Sequence, residues 1–166
     1  MATITHRGNE VHTSGNLPQV GQKAPDFKVT GGDLKDIALA DFAGKRLVLN
    51  IFPSIDTGTC AASVRRFNQE AAGLNNTVVL NVSKDLPFAQ KRFCAAEGIE
   101  NVVNGSEYKN DLFSSNYRVV LSDGALAGLF SRAVVVVDSD GTVIHTEQVP
   151  EIGQEPDYEA VIKSLK

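Results

Sequence analysis

The chain has 166 residues, a formal net charge of -4 at pH 7, 42% hydrophobic and 22% charged residues. This size and composition are typical of one globular domain with its own core, so we predict a single domain over residues 1–166. The acidic balance argues against a surface for nucleic acid or an anionic membrane, since either needs a basic face. Apolar runs fall short of the roughly 20 residues that span a bilayer, and the first residues lack a signal-peptide pattern, so we expect a cytoplasmic protein.

The first half of the chain predicts a hairpin followed by short strands. Residues 2–15 alternate as a β-hairpin extension does, with Gly8 and Asn9 expected at its turn and no catalytic signature. Two further short strands are expected at residues 26–30 and 37–39. The apolar run Leu47–Phe52 then predicts a central strand that is covered on both faces.

The second half predicts alternating helices and strands. A helix over Cys60–Ala72 and a strand over residues 77–82 imply parallel pairing with the central strand. A second helix over Leu86–Glu97 would have Ser83 or Asp85 as its cap and Pro87 in its first turn. The remaining predicted elements are short strands at 102–104 and 117–121, a helical turn at 110–115, a β-hairpin of strands 133–137 and 142–147, and a helix at 156–165.

This order of elements predicts an α/β fold of the thioredoxin-like type. It would have a mixed central β-sheet with helices on both faces, and the N-terminal hairpin would be an addition to it. The sequence shows no internal repeat and no low-complexity segment.

The segment from Val48 to Cys60 carries the strongest chemical signal. Pro53 ends the central strand, because proline cannot donate to a sheet ladder, and a polar loop then delivers Cys60 to the start of a helix. Unpaired N–H groups and the helix dipole stabilise a thiolate there. Thr57 has the spacing of an N-cap. A free cysteine is often only a buried apolar residue, but this setting favours a reactive thiol.

Other features limit the alternatives around Cys60. A carboxylate close to the sulfur would oppose its negative charge, so Asp56 is expected to point away. Cys94 is the second of two cysteines, and the absence of a C-x-x-C motif argues against dithiol chemistry of the thioredoxin type. The three histidines lie far apart in the sequence, so no metal site is predicted.

The residues Pro53 to Cys60 fit the peroxiredoxin signature P-x-x-x-T-x-x-C. The wider block NIFPSIDTGTCAASVRRFN, with Cys94 on the next helix and the N-terminal hairpin, resembles the bacterial thiol peroxidases, which are atypical two-cysteine peroxiredoxins. The resemblance extends over the whole chain. It departs from the common pattern at Gly58, where the family usually has proline.

The resemblance implies a role for each matching residue. Cys60 would attack a peroxide as a thiolate and become a sulfenic acid, and Cys94 would resolve it as an intramolecular Cys60–Cys94 disulfide. Thr57 would hydrogen-bond the sulfur and the peroxide, and Pro53 would shield the site. Arg132, which stands directly before the apolar run 133–137, would supply the cation. From the sequence alone, Arg132 could equally be a solvated strand-end residue, and Cys94 part of an apolar helix face.

The resemblance also implies the partners and the reaction. The substrates would be hydrogen peroxide and organic hydroperoxides, with a preference for alkyl hydroperoxides, and the reductant would be a thioredoxin-type protein. A homodimer packed beside the active-site loop is implied, and no cofactor, metal, haem or flavin is expected. Because a disulfide needs Cα atoms within about 7 Å, we predict local unwinding around one or both cysteines after oxidation.

Three other functions share some of these features. A thiol-disulfide oxidoreductase could use the same fold, although the missing C-x-x-C motif counts against it. A redox-sensing switch could use both cysteines without fast turnover. A structural domain without catalysis would leave the arrangement of Pro53, Thr57, Cys60 and Arg132 unexplained.

Overall fold

The computed structural model describes residues 1–71 and 73–166. Its strands are β1 (Thr3–His6), β2 (Asn9–His12), β3 (Lys28–Thr30), β4 (Asp36–Ala38), β5 (Arg46–Ile51), β6 (Thr77–Ser83), β7 (Val103–Ser106), β8 (Ala133–Val137) and β9 (Val143–Gln148). Its α-helices are α1 (Gly58–Glu70), α2 (Pro87–Glu97), α3 (Leu112–Tyr117) and α4 (Tyr158–Ser164), and a 3-10 helix covers Leu39–Phe42.

Seven strands form one mixed sheet in the order β4-β3-β7-β6-β5-β8-β9, and β1 and β2 form a separate hairpin. β5 pairs in parallel with β6, and β6 in parallel with β7. β8 runs antiparallel to β5 on its other side, and β9 runs antiparallel to β8. The predicted mixed α/β sheet, the parallel crossover and the N-terminal hairpin are therefore confirmed.

Alternate residues of β5 face two apolar layers. Leu47 and Leu49 pack in a cluster with Phe113 and Tyr117 of α3, whereas Val48 packs with Phe67 of α1 and with α4. This period of two is what a strand covered on both faces requires. Helices lie on both faces as predicted, and the carboxyl end of β5 leads directly into the loop before α1.

Several boundaries differ from the sequence-based expectation. The first hairpin turns at Arg7 and Gly8, both with positive φ (52° and 80°), rather than at Gly8 and Asn9. Helix α1 begins two residues earlier than predicted, at Gly58, and ends at Glu70. The predicted end of this helix at Ala72 lies outside the described residues.

Two expectations for the second half were wrong. Leu86, not Ser83 or Asp85, is the N-cap of α2, and its apolar side chain has no acceptor for a cap hydrogen bond. Ser83 and Asp85 are bonded elsewhere, and Pro87 at the first helical position has no N–H that needs an acceptor. The strand expected at residues 117–121 is not formed: Tyr117 ends α3, and Val120 and Leu121 make only isolated bridges. Arg118 has a φ of 60°, and this left-handed conformation interrupts an extended backbone there.

Candidate active site

Thr57 caps helix α1 and shapes the loop that precedes it. Its backbone is extended, with φ -91° and ψ 147°, and its hydroxyl accepts a hydrogen bond from the backbone N–H of Cys60 at 3.4 Å. The same hydroxyl donates to the carbonyl oxygen of Ser54 at 3.2 Å. The predicted N-cap is therefore confirmed, and in this structure the hydroxyl proton is directed to Ser54.

Asp85, which follows the end of the neighbouring strand β6, anchors the same loop. Its carboxylate accepts hydrogen bonds from the Ser54 hydroxyl at 2.8 Å and from the Ile55 N–H at 2.7 Å. The Ser83 hydroxyl donates to it at 2.6 Å. Because β5 and β6 are parallel, their carboxyl ends meet at one edge of the sheet, and Asp85 lies next to the loop that follows β5.

Cys60 is fully buried and lies against an equally enclosed arginine. The side chain of Arg132 is only 2% exposed, and its Nη2 donates to the Cys60 Sγ at 3.4 Å. Its Nε donates to the carbonyl oxygen of Ile152 at 2.7 Å, which fixes the plane of the guanidinium. Among the described residues, Arg132 Nη1 has no hydrogen-bond partner although it is buried.

The sheet explains why an arginine 72 positions away in the chain meets Cys60. Ala133 at the start of β8 pairs with Ile51 at the end of β5. The residue before β8 therefore lies beside the loop that follows β5. A guanidinium at 3.4 Å from the sulfur provides positive charge and a hydrogen-bond donor for a thiolate.

A pocket of about 400 Å³ opens at this position. Its lining includes Pro53, Thr57 and Arg132, which the sequence analysis had singled out, together with Thr59 and Leu126. Pro53 is itself buried. Asp56 points away from the sulfur as expected, since its carboxylate is largely exposed and lies 3.5 Å from Arg92.

The N-terminal hairpin also contributes to the pocket, which the sequence analysis missed. His6 and Arg7 line it. The hairpin is joined to the segment 150–152 by the bond from Ile152 N–H to Thr5 O at 2.9 Å and by a contact between the Thr5 hydroxyl and the Glu151 carboxylate. This segment provides the carbonyl that holds Arg132, so the hairpin supports the site indirectly as well.

Cys94 lies on α2 and is half-buried. Its Sγ accepts a hydrogen bond from the Asn104 side-chain amide at 3.2 Å. Burial raises the pKa of the Cys94 thiol, and the hydrogen bond from Asn104 acts in the opposite direction. Both cysteines are free thiols, and Cys94 packs against the apolar cluster that contains Cys60.

The structure therefore brings Pro53, Thr57, Cys60 and Arg132 together and leaves Cys94 on the neighbouring helix.

No group of three or more His, Cys, Asp or Glu side chains within residues 1–71 and 73–166 could hold a metal ion. In the same part of the chain, no helix is long and apolar enough to cross a membrane. Sequence reasoning missed the roles of Asp85, Asn104 and Glu151, because their partners come from distant parts of the chain.

Comparison with known proteins agrees with this geometry. Residues 19–162 match the redoxin family model. The chain is 56% identical to proteins named thiol peroxidase from Mycobacterium bovis and Mycobacterium tuberculosis, over 99% of both chains in each case. The structure is similar to that of a peroxiredoxin-like protein from Aquifex aeolicus, with a TM-score of 0.92, 36% identity and coverage of 98% of this chain and 95% of the other. A thiol peroxidase from Chromobacterium violaceum has the same fold, with a TM-score of 0.90, 19% identity and coverage of 98% and 95%.

Proposed function

Because this chain belongs to the redoxin family and is a bacterial thiol peroxidase of the peroxiredoxin type, we propose that Cys60 is its peroxide-reacting residue and Cys94 its resolving residue. The observation that carries this proposal is the buried contact of 3.4 Å between Cys60 Sγ and Arg132 Nη2 at the start of α1, beside an open pocket. An enclosed arginine paired with a cysteine has a direct use in thiolate chemistry and little structural benefit otherwise.

In the first step, the Cys60 thiolate attacks one oxygen of the peroxide. An S–O bond forms and the O–O bond breaks, and the other oxygen leaves as hydroxide or alkoxide and takes up a proton to give water or an alcohol. Cys60 becomes a sulfenic acid, so the sulfur is oxidised by two electrons and the peroxide is reduced by two.

Arg132 has the geometry to stabilise this step. Nη2 is used on the sulfur and Nε on Ile152, which leaves Nη1 as a buried donor without a partner among the described residues. A donor held in place where negative charge develops on a leaving oxygen lowers the barrier without reorganisation. Thr57 and Pro53 border the same pocket and would position the peroxide and limit water.

In the second step, the Cys94 sulfur attacks the Cys60 sulfur. An S–S bond forms, the S–O bond of the sulfenic acid breaks, and the hydroxyl leaves with a proton as water. A thioredoxin-type dithiol protein then reduces the disulfide with two electrons and regenerates both thiols. Cys60 contacts Arg132 while Cys94 contacts Asn104, so we expect at least one of these contacts to break before the sulfurs can bond.

The same proposal includes the substrates, the oligomeric state and the cellular location of the protein. The substrates include hydrogen peroxide and organic hydroperoxides, with a preference for alkyl hydroperoxides, for which Leu126 offers an apolar wall in the pocket. The protein would fold as one domain over residues 1–166 and act as a homodimer. It would work in the cytoplasm, where a thioredoxin-type reductant maintains the thiols.

The test is peroxide-dependent NADPH consumption through thioredoxin reductase and thioredoxin, with wild type, Cys60→Ser and Cys94→Ser. We expect turnover in the wild type, none in Cys60→Ser, and a single turnover in Cys94→Ser that leaves a sulfenic acid on Cys60. A disulfide that forms in the wild type without turnover would instead favour a redox switch. Turnover on a disulfide substrate without peroxide would favour a thiol-disulfide oxidoreductase.

A further inference from the structure

Three asparagines form a ladder across the middle of the sheet. Asn50 of β5, Asn81 of β6 and Asn104 of β7 occupy directly paired positions in the parallel ladders. Asn50 Nδ2 donates to Asn81 Oδ1 at 3.0 Å, and Asn81 Nδ2 donates to Asn104 Oδ1 at 3.1 Å. The side chains of Asn50 and Asn81 are completely buried.

The ladder connects the two cysteines. At the β7 end, Asn104 Nδ2 donates to Cys94 Sγ at 3.2 Å. At the β5 end, Asn50 Nδ2 also donates to the Ser63 hydroxyl at 3.3 Å, and this hydroxyl donates to the carbonyl oxygen of Cys60 at 2.8 Å. Each amide in the ladder donates one hydrogen bond in the direction of Cys94, so each of these bonds polarises the next.

Buried amides in the centre of a sheet are costly unless they are bonded, and an apolar residue at each position would avoid this cost. The ladder ends on a sulfur that the reaction requires to move. A hydrogen bond to a sulfur is stronger when the sulfur is ionised, because the donor then faces a full negative charge.

We infer that Asn104, oriented by Asn81 and Asn50, is a positioning residue that holds the Cys94 sulfur in its place on folded α2 and thereby restrains disulfide formation. This inference rests on the proposed resolving role of Cys94. The strands of Asn104 and of Ala133, which follows Arg132, are separated by three strand spacings, about 14 Å. Arg132, before β8, thus holds the Cys60 sulfur from one side of the β6–β5 pair. Asn104 of β7 holds the Cys94 sulfur from the other side.

The direct consequence concerns the ionisation of Cys94. Loss of the Asn104 donor should raise the pKa of the Cys94 thiol further, since burial already raises it and Asn104 is the group that opposes this effect. Loss of the Asn104 donor also has a kinetic consequence. The ionised Cys94 sulfur then loses a stronger hydrogen bond than the neutral thiol does. Movement of the ionised sulfur out of its place should therefore be accelerated more than movement of the neutral thiol.

The equilibrium test uses the Cys60→Ser variant, in which Cys94 is the sole thiol. Thiolate absorbance at 240 nm is followed against pH, with a variant that lacks both cysteines as the baseline. Asn104→Leu and Asn104→Asp should each move the midpoint upward, and aspartate more so because it adds a negative charge. Ser63→Ala, which removes a hydroxyl from the other end of the ladder, should leave the midpoint in place.

The kinetic test uses chains with both cysteines. A stoichiometric pulse of hydrogen peroxide is followed by rapid alkylation and mass analysis of the Cys60–Cys94 disulfide. Above the midpoint, Asn104→Leu should form the disulfide about three- to tenfold faster than the wild type, the factor expected for one hydrogen bond. Below the midpoint the acceleration should be smaller.

The outcomes separate this inference from the proposed function. If the wild type forms no Cys60–Cys94 disulfide, the resolving role of Cys94 fails and the inference fails with it. If the disulfide forms normally but the Asn104 variants leave the midpoint unmoved, or accelerate the reaction equally at every pH, Asn104 only supports α2 structurally. The peroxidase proposal then stands and the positioning role is overturned.

Discussion

The side chains that form this site come from distant parts of the chain, and Arg132 among them directs its nitrogens to different partners. Arg132 contacts Cys60 through one nitrogen and Ile152 through another, and a third nitrogen has no partner among the described residues. Such a fixed planar arrangement of donors is specific to the guanidinium group, because an ammonium group concentrates its donors on one atom. The arginine therefore acts by geometry as well as by charge.

Replacement of Arg132 by lysine tests this point because the positive charge is retained. We expect kcat/KM for peroxide to fall about 100-fold, the loss associated with one pre-positioned donor. The rate of Cys60 oxidation would be measured by stopped-flow competition for hydrogen peroxide. Arg118→Lys is the matched control, since Arg118 is exposed and donates to Ser14 O on another part of the surface. A rate for Arg132→Lys equal to that of the wild type would contradict the geometric role.

The start of α1 combines a capping threonine with a glycine in the first helical position. Gly58 is exposed, and a Cβ atom built on it would meet no other atom within 4 Å. Proline is well tolerated at this position, because the first helical N–H has no intrahelical acceptor. Thr57 is already extended, which is the conformation that a following proline requires.

Gly58→Pro should therefore stabilise the protein by about 0.4–1 kcal/mol through a less flexible unfolded chain. The free energy of unfolding from urea titration would show it, with Gly58→Ala as a control that restricts the unfolded chain less. We expect peroxide turnover to be retained in both variants, because neither changes Thr57 or Cys60. A destabilised Gly58→Pro variant would mean that the Gly58 N–H has a role that its exposure does not suggest.

The accuracy of the sequence-based predictions follows from which interactions define each element. The strand before Pro53, the cap at Thr57 and the helix that contains Cys60 are encoded locally by apolar runs, turn residues and spacing, and the structure confirms them, although the helix starts at Gly58 rather than at Cys60. The predicted end of α2 at Glu97 is also observed, and Gly98 follows it with a φ of 66°, which suits glycine. The family resemblance added Arg132, whose contact with Cys60 depends on the pairing of β5 with β8.

The features that were missed depend on tertiary contacts. Asp85 is of a residue type that often caps helices, but its carboxylate accepts hydrogen bonds from the loop before α1 instead. The asparagines of the ladder are separated by 31 and 23 positions, so only the strand register reveals their alignment. The hairpin has no local catalytic pattern, and its contribution comes from docking beside the pocket.

The N-terminal hairpin is held against the rest of the molecule partly by a pH-sensitive pair, His12 and Asp123. His12 Nδ1 lies 2.7 Å from the Asp123 carboxylate, and His12 Nε2 lies 3.1 Å from Glu10. The hydrogen bond to Asp123 is the main reason that the pKa of His12 is raised above 6.5. The hydrogen bond from the His12 side chain likewise lowers the pKa of Asp123 below 3.8.

The sign of each shift defines where the pair stabilises the fold. The raised pKa of His12 gives stability that is fully present below pH 6.5 and is lost as the pH rises through the folded-state value. The lowered pKa of Asp123 gives stability that is fully present above pH 3.8 and is lost as the pH falls through the folded-state value. Both contributions are therefore complete between pH 3.8 and 6.5.

His12→Gln should consequently lower the Tm of the protein most between pH 3.8 and 6.5, and the difference from the wild type should shrink above this range. Thermal unfolding of both proteins across pH 3 to 9 measures it. His6→Gln, in the other strand of the same hairpin, is the comparison variant for these unfolding curves. The hairpin contributes His6 and Arg7 to the pocket, and it is hydrogen-bonded to the segment that holds Arg132. Local release of the hairpin in His12→Gln should therefore also lower peroxide turnover near pH 6. A constant Tm difference at every pH would show that His12 acts through packing and not through its charge.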